Sequence, residues 1–503
     1  MTIPILTASV VGLEAYRVQV EADVLPGLPA FIVVGLPDAA VQEARERVRS
    51  AMKQAEVAFP RTRVVVNLAP ADVRKIGTPF DLPIALAIAA GEGIIEPPRC
   101  LTMFAGELGL DGGLRPIHGA LSLALLAKEL GVEEIILPKE NAQEAAFVEG
   151  VKIRAATDLR EVIDFLSGKG ELPVSEFRPI LVESSMWNGP DLLAVRGQEQ
   201  ARRALEIAAA GGHNLLLQGP PGSGKTLLAR TFPSILPSMT VQEALEVTRI
   251  HSVAGLLPSE GIVTQRPFRS PHHSASMVSL VGGGTIPQPG EISLSHRGVL
   301  FLDEFLEFSR PVLESLRQPL EDGCVTVSRA QGTANFPARF TLVAAMNPCP
   351  CGFFTDREQR CQCSPIQIAK YRKRLSGPLL DRMDLFLEVP KVKTEALTNL
   401  GDGEPSAVVQ ARVQKARDRQ TARWKHLAVA TNAELTSDQV RRFLKTTEEA
   451  TFLLQQAVDR YELSARAYFR LLKVAQTIAD LAEEETVGVG HVAEALQYRM
   501  MEG

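Results

Sequence analysis

Eight consecutive residues, Gly219, Pro220, Pro221, Gly222, Ser223, Gly224, Lys225 and Thr226, make a full G-x-x-x-x-G-K-[ST] string. Its glycines let successive backbone N–H groups converge on phosphate oxygens. Lys225 brings a positive charge to the β- and γ-phosphates, and the Thr226 hydroxyl can ligate Mg2+. Further along, the apolar run Gly298 to Leu302 ends in Asp303 and Glu304. Asp303 is suited to hold Mg2+ through water, and Glu304 to orient and polarise an attacking water. A triphosphate loop and an acid pair in one chain point to hydrolysis of a nucleoside triphosphate such as ATP, not to binding alone.

These residues need particular elements to position them. Asn214 to Gln218 is an apolar run that enters the glycine loop as a strand, and Leu227 to Arg230 leaves it as a helix. Gly298 to Leu302 is too short for most helices and fits a buried parallel strand that delivers its acids at the C-terminal edge. Val325 to Arg329 and Phe340 to Val343 have strand composition, with a turn expected around Gln331 to Thr333. That hairpin would run into Ala344 to Asn347, ending Asn347 beside the acid-bearing strand, where its amide can hold the γ-phosphate or the water. By residue type alone Asn347 reads equally as a cap or turn residue.

The stretch from Lys225 to Asp303 far exceeds what one helix and one strand need, since a whole βαβ unit takes about thirty residues. Inside it, Ile262 to Gly290 contains no Asp or Glu, while Arg266, Arg269, His272 and His273 sit among serines. Such a loop suits phosphate contact, or is a flexible surface excursion. Four of the six cysteines, Cys349, Cys351, Cys361 and Cys363, crowd into one short segment. In a cytosolic chain this clustering suggests Zn2+ before disulfides, although one-residue spacing is tighter than a C-x2-C knuckle and a reduced, metal-free loop is the alternative.

With 503 residues the chain is too long for one ordinary core, so about two to four domains are expected. The net charge of -5 excludes a generally basic nucleic-acid coat, which confines any polyanion contact to a local pore or groove. Aromatic residues, at 5%, are too sparse for an extended base-stacking surface. No basic n-region with an apolar core opens the sequence, and no apolar stretch is long enough to span a membrane. The expectation is a soluble, cytoplasmic protein without membrane partners.

Residues 1–168 alternate β-like runs (Phe31 to Val34, Val64 to Leu68, Glu134 to Leu137) with helical stretches such as Ala39 to Glu56 and Ala120 to Leu130, as in an α/β domain with its own core. Residues 169–190 read as a linker, 191–390 as the nucleotide domain, and 391–503 as a helical domain with 3.6-type spacing at Leu471, Leu472, Ala475, Ile478 and Leu481.

Six strings, FRSPHHSASMVSLVGGG, PGEISLSHRGVLFLDEF, RQPLEDGCVTVSRA, AAMNPCPCG, SGPLLDRMDL and SARAYFRLLKVAQTIADL, occur in this order. Together they resemble the ComM/YifB subfamily of magnesium-chelatase-like AAA+ ATPases. The resemblance implies an α/β architecture: a Lon-protease/ribosomal-S5-like N-terminal domain, an AAA+ core and a C-terminal helical lid. It makes Asn347 the sensor-1 residue, Arg382 the finger presented to a neighbouring subunit's ATP, and Arg466 the sensor-2 arginine. A surface pair with Asp384 is the plain alternative for Arg382. Where Lon proteases carry a Ser–Lys dyad, the matching stretches here hold Ile84 and Leu121, so proteolysis lacks its chemistry.

The implied activity is that of a hexameric, ATP-driven DNA motor, a branch-migration helicase acting on single-stranded and branched recombination intermediates in natural transformation. In that clade the hairpin carrying Arg329 projects towards the channel, which makes Arg329, with Arg266 and Arg269, the expected DNA contacts; for Arg329 a solvated strand-edge charge is the alternative. The rival readings are a magnesium-chelatase-type ATPase subunit driving metal insertion and an ATP-dependent protease-like regulator.

Overall fold

The computed structural model describes residues 3–181, 187–284, 286–329, 332–356, 358–391, 403–427 and 429–499. The N-terminal part carries strands β1 (Ile5–Val11), β2 (Glu14–Leu25), β3 (Ala30–Val34), β4 (Arg63–Ala69), β5 (Thr102–Phe104), β6 (Glu107–Leu108), β7 (Leu114–Arg115), β8 (Glu134–Pro138), β9 (Lys152–Ala156) and β10 (Val174–Ser175). Eight of them form one mixed sheet in the order β10-β9-β8-β5-β1-β2-β4-β3. Helices α1 (Ala39–Gln54), α2 (Asp81–Gly91), α3 (Ala120–Glu129), α4 (Lys139–Ala145) and α5 (Leu159–Leu166) accompany it. The expected strands and helices of this part are present within two residues at each end. The segment read as a linker from residue 169 begins differently: Val174 and Ser175 pair antiparallel with Arg154 and Ile153 of β9, so the sheet continues into it.

The central part contains α6 (Glu199–Gly211), β11 (Leu215–Gln218), α7 (Lys225–Thr231), α8 (Val241–Val253), β12 (Phe268–Arg269), β13 (Gly282–Gly283), β14 (Gln288–Pro289), β15 (Val299–Leu302), β16 (Cys324–Arg329), β17 (Gly332–Pro337), β18 (Thr341–Met346) and β19 (Leu385–Glu388). Five parallel strands make its sheet, ordered β12-β15-β18-β11-β19. Side chains alternate across it, as the strand period of two demands. Leu215, Leu217, Phe301, Val343 and Leu385 face α6 and the C-terminal helices Ser406–Trp424 and Ala465–Leu481, whereas Leu216, Leu300, Leu302, Leu342 and Ala344 face the inserted elements and the β16–β17 hairpin.

The hairpin corrects the sequence reading. β16 pairs with Gly332–Pro337, from Cys324 opposite Pro337 to Arg329 opposite Gly332, and not with Phe340 to Val343. Gly332 and Thr333 therefore belong to a strand, and β18 is instead the central parallel strand between β11 and β15. The fully buried Leu342, Val343, Ala344 and Ala345 explain this choice, because a continuous apolar run is best covered on both faces.

The long insertion before β15 docks the two sheets. Arg249 on α8 donates to Leu13 O at 2.6 Å and Ser122 Oγ at 3.0 Å, and Ser252 Oγ donates to Glu144 at 3.2 Å. The β1–β2 turn also reaches the hairpin. A Cβ on Gly12 (φ +62°) would stand 2.7 Å from Ala334 Cβ, so only glycine permits both that turn and that approach.

Candidate nucleotide site and outlying arginines

β11 is buried throughout and delivers the glycine loop at its C-terminal edge. Gly222 (φ +76°) and Gly224 (φ +90°) take left-handed backbone, which turns the loop into α7 at Lys225. Lys225 is 8% exposed. Its Nζ donates to Gly219 O (2.7 Å), Pro220 O (2.9 Å) and Asn347 Oδ1 (3.4 Å). Burial pushes the ammonium down to about 8, against the opposing pull of the Asp303 charge. Thr226 Oγ1 donates to Asp303 Oδ2 at 2.8 Å. Lys225, Thr226, Asp303 and Asn347 thus meet at the C-terminal ends of β11, β15 and β18, in an arrangement that fits a Mg2+–triphosphate: a cation and turned backbone for phosphate, a hydroxyl and a carboxylate for the metal.

Glu304 follows Asp303 with φ +50°, a left-handed conformation that costs a non-glycine residue about 1–2 kcal/mol. Its backbone N–H donates to Asp303 Oδ1 at 2.9 Å, and its Oε2 lies 3.0 Å from His273 Nδ1. The sequence placed His273 in the acid-free loop but gave no sign of this partner, which sits on a different strand connection.

Arg382 and Arg466 stand elsewhere. The Arg382 guanidinium pairs with Glu321, and Arg466 Nη2 lies 3.9 Å from the same carboxylate. Both line an open cavity of about 540 Å3 together with Asn214, Gly298, Thr341 and Asp384, residues at the N-terminal ends of β11, β15, β18 and β19. No residue of 219–226 lines it. Strands of four to six residues at about 3.3 Å each put roughly 13–20 Å between the two edges. Asn214 fixes the arginine's segment, its Nδ2 donating to Arg382 O at 2.9 Å and its Oδ1 accepting from Leu342 N at 2.8 Å. Asp384 is not the partner of Arg382: it accepts from Asn214 N at 3.0 Å and faces the buried His213.

Two of the three expected DNA contacts are engaged by acids of their own chain. Arg266, with a side chain 9% exposed, donates to Pro237 O, Arg297 O, Ser238 O and, at 2.9 Å, to Glu243. Glu243 also closes the capping box of α8 with Thr240. Burial alone would raise this carboxyl, yet the Arg266 charge, the Thr240 N–H and Arg297 hold it below the usual range. Arg269 forks onto Glu291 at 2.6 and 2.7 Å. The Arg266 charge is spent inside the protein, and Arg269, with a side chain 32% exposed, is paired at its surface, because acids outside the acid-free stretch fold against it. Arg329 is exposed near the hairpin end, its guanidinium over the side-chain-free face of Gly283.

The four clustered cysteines converge. Cys349, Cys351, Cys361 and Cys363 place their Sγ atoms within 4.8 Å of one another, and all four are free thiols.

Comparison with known proteins agrees with this architecture. The family model described as Magnesium chelatase, subunit ChlI matches residues 191–397, Subunit ChlI of Mg-chelatase matches 20–141, and Magnesium chelatase, subunit ChlI C-terminal matches 403–499. The chain is 47% identical to Competence protein ComM of Haemophilus influenzae, over 97% of this chain and 96% of that protein. It is 44% identical to YifB of Escherichia coli, over 99% and 96%. A Magnesium-chelatase 67 kDa subunit of Heliobacterium mobile is 28% identical over 45% of this chain and 37% of its own length. No helix among the described residues is long and apolar enough to cross a membrane. With a glycine loop and acid pair at one edge of a parallel sheet, and 47% and 44% identity to ComM and YifB over nearly the whole chain, the chain belongs to the ComM/YifB family of magnesium-chelatase-like AAA+ ATPases.

Proposed function

We propose that this ATPase is a ring-forming, hexameric motor that moves along single-stranded or branched DNA and drives branch migration. The observation that carries the reading is the separation of Arg382 and Arg466 from the nucleotide loop of their own chain by the length of the sheet. Two arginines held at the wrong edge for their own nucleotide are at the right edge for a neighbour's, so turnover requires assembly. The relative named Competence protein ComM points the same way.

In this reading Gly219 to Thr226 cradle the phosphates, and Lys225 exchanges its carbonyl partners for β- and γ-phosphate oxygens. Thr226 and Asp303 would hold Mg2+, which when bound would supply positive charge against the charge that develops on the phosphate oxygens. Glu304 takes the proton of the attacking water, Asn347 fixes the γ-phosphate, and the neighbour's Arg382 stabilises the transition state, where positioned charge supplies most of the catalysis. Arg466 meets the same nucleotide from the lid. Arg329 is the remaining cation of the original three placed to touch a phosphate track.

We assign residues 1–168 to a Lon-like scaffold without its dyad, 191–390 to the motor core and 391–503 to the lid. Ile84 and Leu121 are fully buried apolar residues, which suits a structural role for the first. The test is the ATPase rate with and without single-stranded, duplex and four-way-junction DNA. A motor is stimulated by DNA and binds it with steep salt dependence. Protein that neither binds junctions at low salt nor responds to them returns the chain to a chelatase-type role.

A further inference from the structure

The segment after Asn347 is where the four cysteines lie, and it touches the nucleotide loop. Cys349 Sγ stands 3.4 Å from Cys351 Sγ and 3.7 Å from Cys361 Sγ, and Cys351 Sγ stands 3.6 Å from Cys361 Sγ. A tetrahedral ion with Zn–S bonds of about 2.3 Å sets its sulfurs about 3.8 Å apart. Three sulfurs thus have the spacing of ligands around one ion, and Cys363 Sγ lies within 4.8 Å of each of them. Such spacing is far too long for disulfides at about 2.05 Å, and too tight for a polynuclear cluster lodged between the sulfurs. Backbone N–H groups face the sulfurs as they do around thiolates: Cys363 N donates to Cys361 Sγ, and the N–H groups of Phe353 and Gln362 reach Cys351.

Two contacts carry this knot to the nucleotide. Gly352 (φ +85°) lies so close to the P-loop that a Cβ there would meet Pro221 Cδ at 2.6 Å. Asp356, almost fully covered, pairs with Lys391 at 2.7 Å, just beyond Val389, whose N–H donates to Gln218 O at the mouth of the same loop. Cys349 itself is buried two residues after Asn347, which accepts from Lys225.

We propose that Cys349, Cys351, Cys361 and Cys363 hold one structural Zn2+ that clamps the segment following Asn347 onto the P-loop, so that metal occupancy sets the affinity for ATP. The thiols release their protons to solvent on binding; no electrons are exchanged. The coupling half of this inference rests on the nucleotide reading, whereas the metal half does not.

Protein purified without chelator or added metal is expected to hold about one zinc per chain by elemental analysis. After removal by a thiol-reactive mercurial and a chelator, followed by reduction, Co2+ is expected to give the strong visible absorption of a tetrathiolate. Metal-free protein, shown folded by circular dichroism, should bind a fluorescent ATP analogue several-fold more weakly and regain its affinity on adding Zn2+. The Cys361→Ser, Cys363→Ser double variant should lose zinc and affinity together. Zinc-free protein with four freely titrating thiols, or iron in place of zinc, overturns the metal site. Zinc present, with unchanged nucleotide affinity after its removal, overturns the clamp. Failure of the zinc-loaded protein to bind ATP at all would instead strike the nucleotide reading, leaving the zinc content to decide the site.

Discussion

His273 Nδ1 meets Glu304 Oε2 at 3.0 Å, which ties the carboxylate proposed to activate water to the inserted loop that runs from Ile262 to Gly290. A loop displaced by a partner would release that carboxylate. Glu304→Gln is expected to retain ATP and lose about 10²–10⁴-fold in turnover. His273→Ala is expected to raise basal hydrolysis and shrink the ratio of DNA-stimulated to basal rate. An unchanged ratio would remove the coupling role of His273.

Arg382 is held by Glu321 in the isolated chain. Arg382→Ala should bind ATP normally and hydrolyse it about a thousandfold more slowly, as for other fingers supplied in trans. Mixing it with Lys225→Ala protein should restore part of the rate, because some interfaces then combine an intact loop with an intact finger. An Arg382→Ala protein active as a monomer would refute the trans role.

The Lys225 ammonium sits at about 8, below its ordinary range near 10.5, through burial. Between these values the unfolded chain binds more protons than the folded one, so this group's contribution to stability rises with pH across that window. A bound triphosphate reverses the burial effect, which makes ATP binding take up a proton above about pH 8. Affinity should fall about tenfold from pH 7 to pH 9. Calorimetry in buffers of different ionisation enthalpy would show the uptake, and a flat affinity with no proton uptake would contradict the buried lysine.

Arg266 and Arg329 should separate cleanly. Arg266→Ala removes the nearer cation of buried Glu243, leaving Arg297 at 3.9 Å, and is expected to cost about 3 kcal/mol of stability, read as a lower denaturation midpoint. Arg329→Ala should leave the midpoint in place and reduce DNA-stimulated hydrolysis and junction migration more than the basal rate. Equal loss of DNA response in both, with both fully stable, would restore the loop to the DNA track.

What the sequence determined by itself is local. The loop 219–226 carries its chemistry in adjacent residues, and the apolar run before Asp303 has a length that suits a strand and little else, so the nucleotide chemistry was legible without a fold. The cysteine clustering suggested a metal site, but only folding brings two pairs ten residues apart to within van der Waals reach. The arginines show the opposite case. An acid-free stretch looks free to meet phosphate, yet Glu243 on α8 and Glu291 just past the end of that stretch take Arg266 and Arg269, the first because a buried guanidinium must be paired. Likewise nothing in the sequence joins Glu321 to Arg382 and Arg466, or places them at the edge of the sheet opposite Lys225. That placement follows from strand direction, a property that parallel pairing across the whole sheet decides and no short window of residues contains.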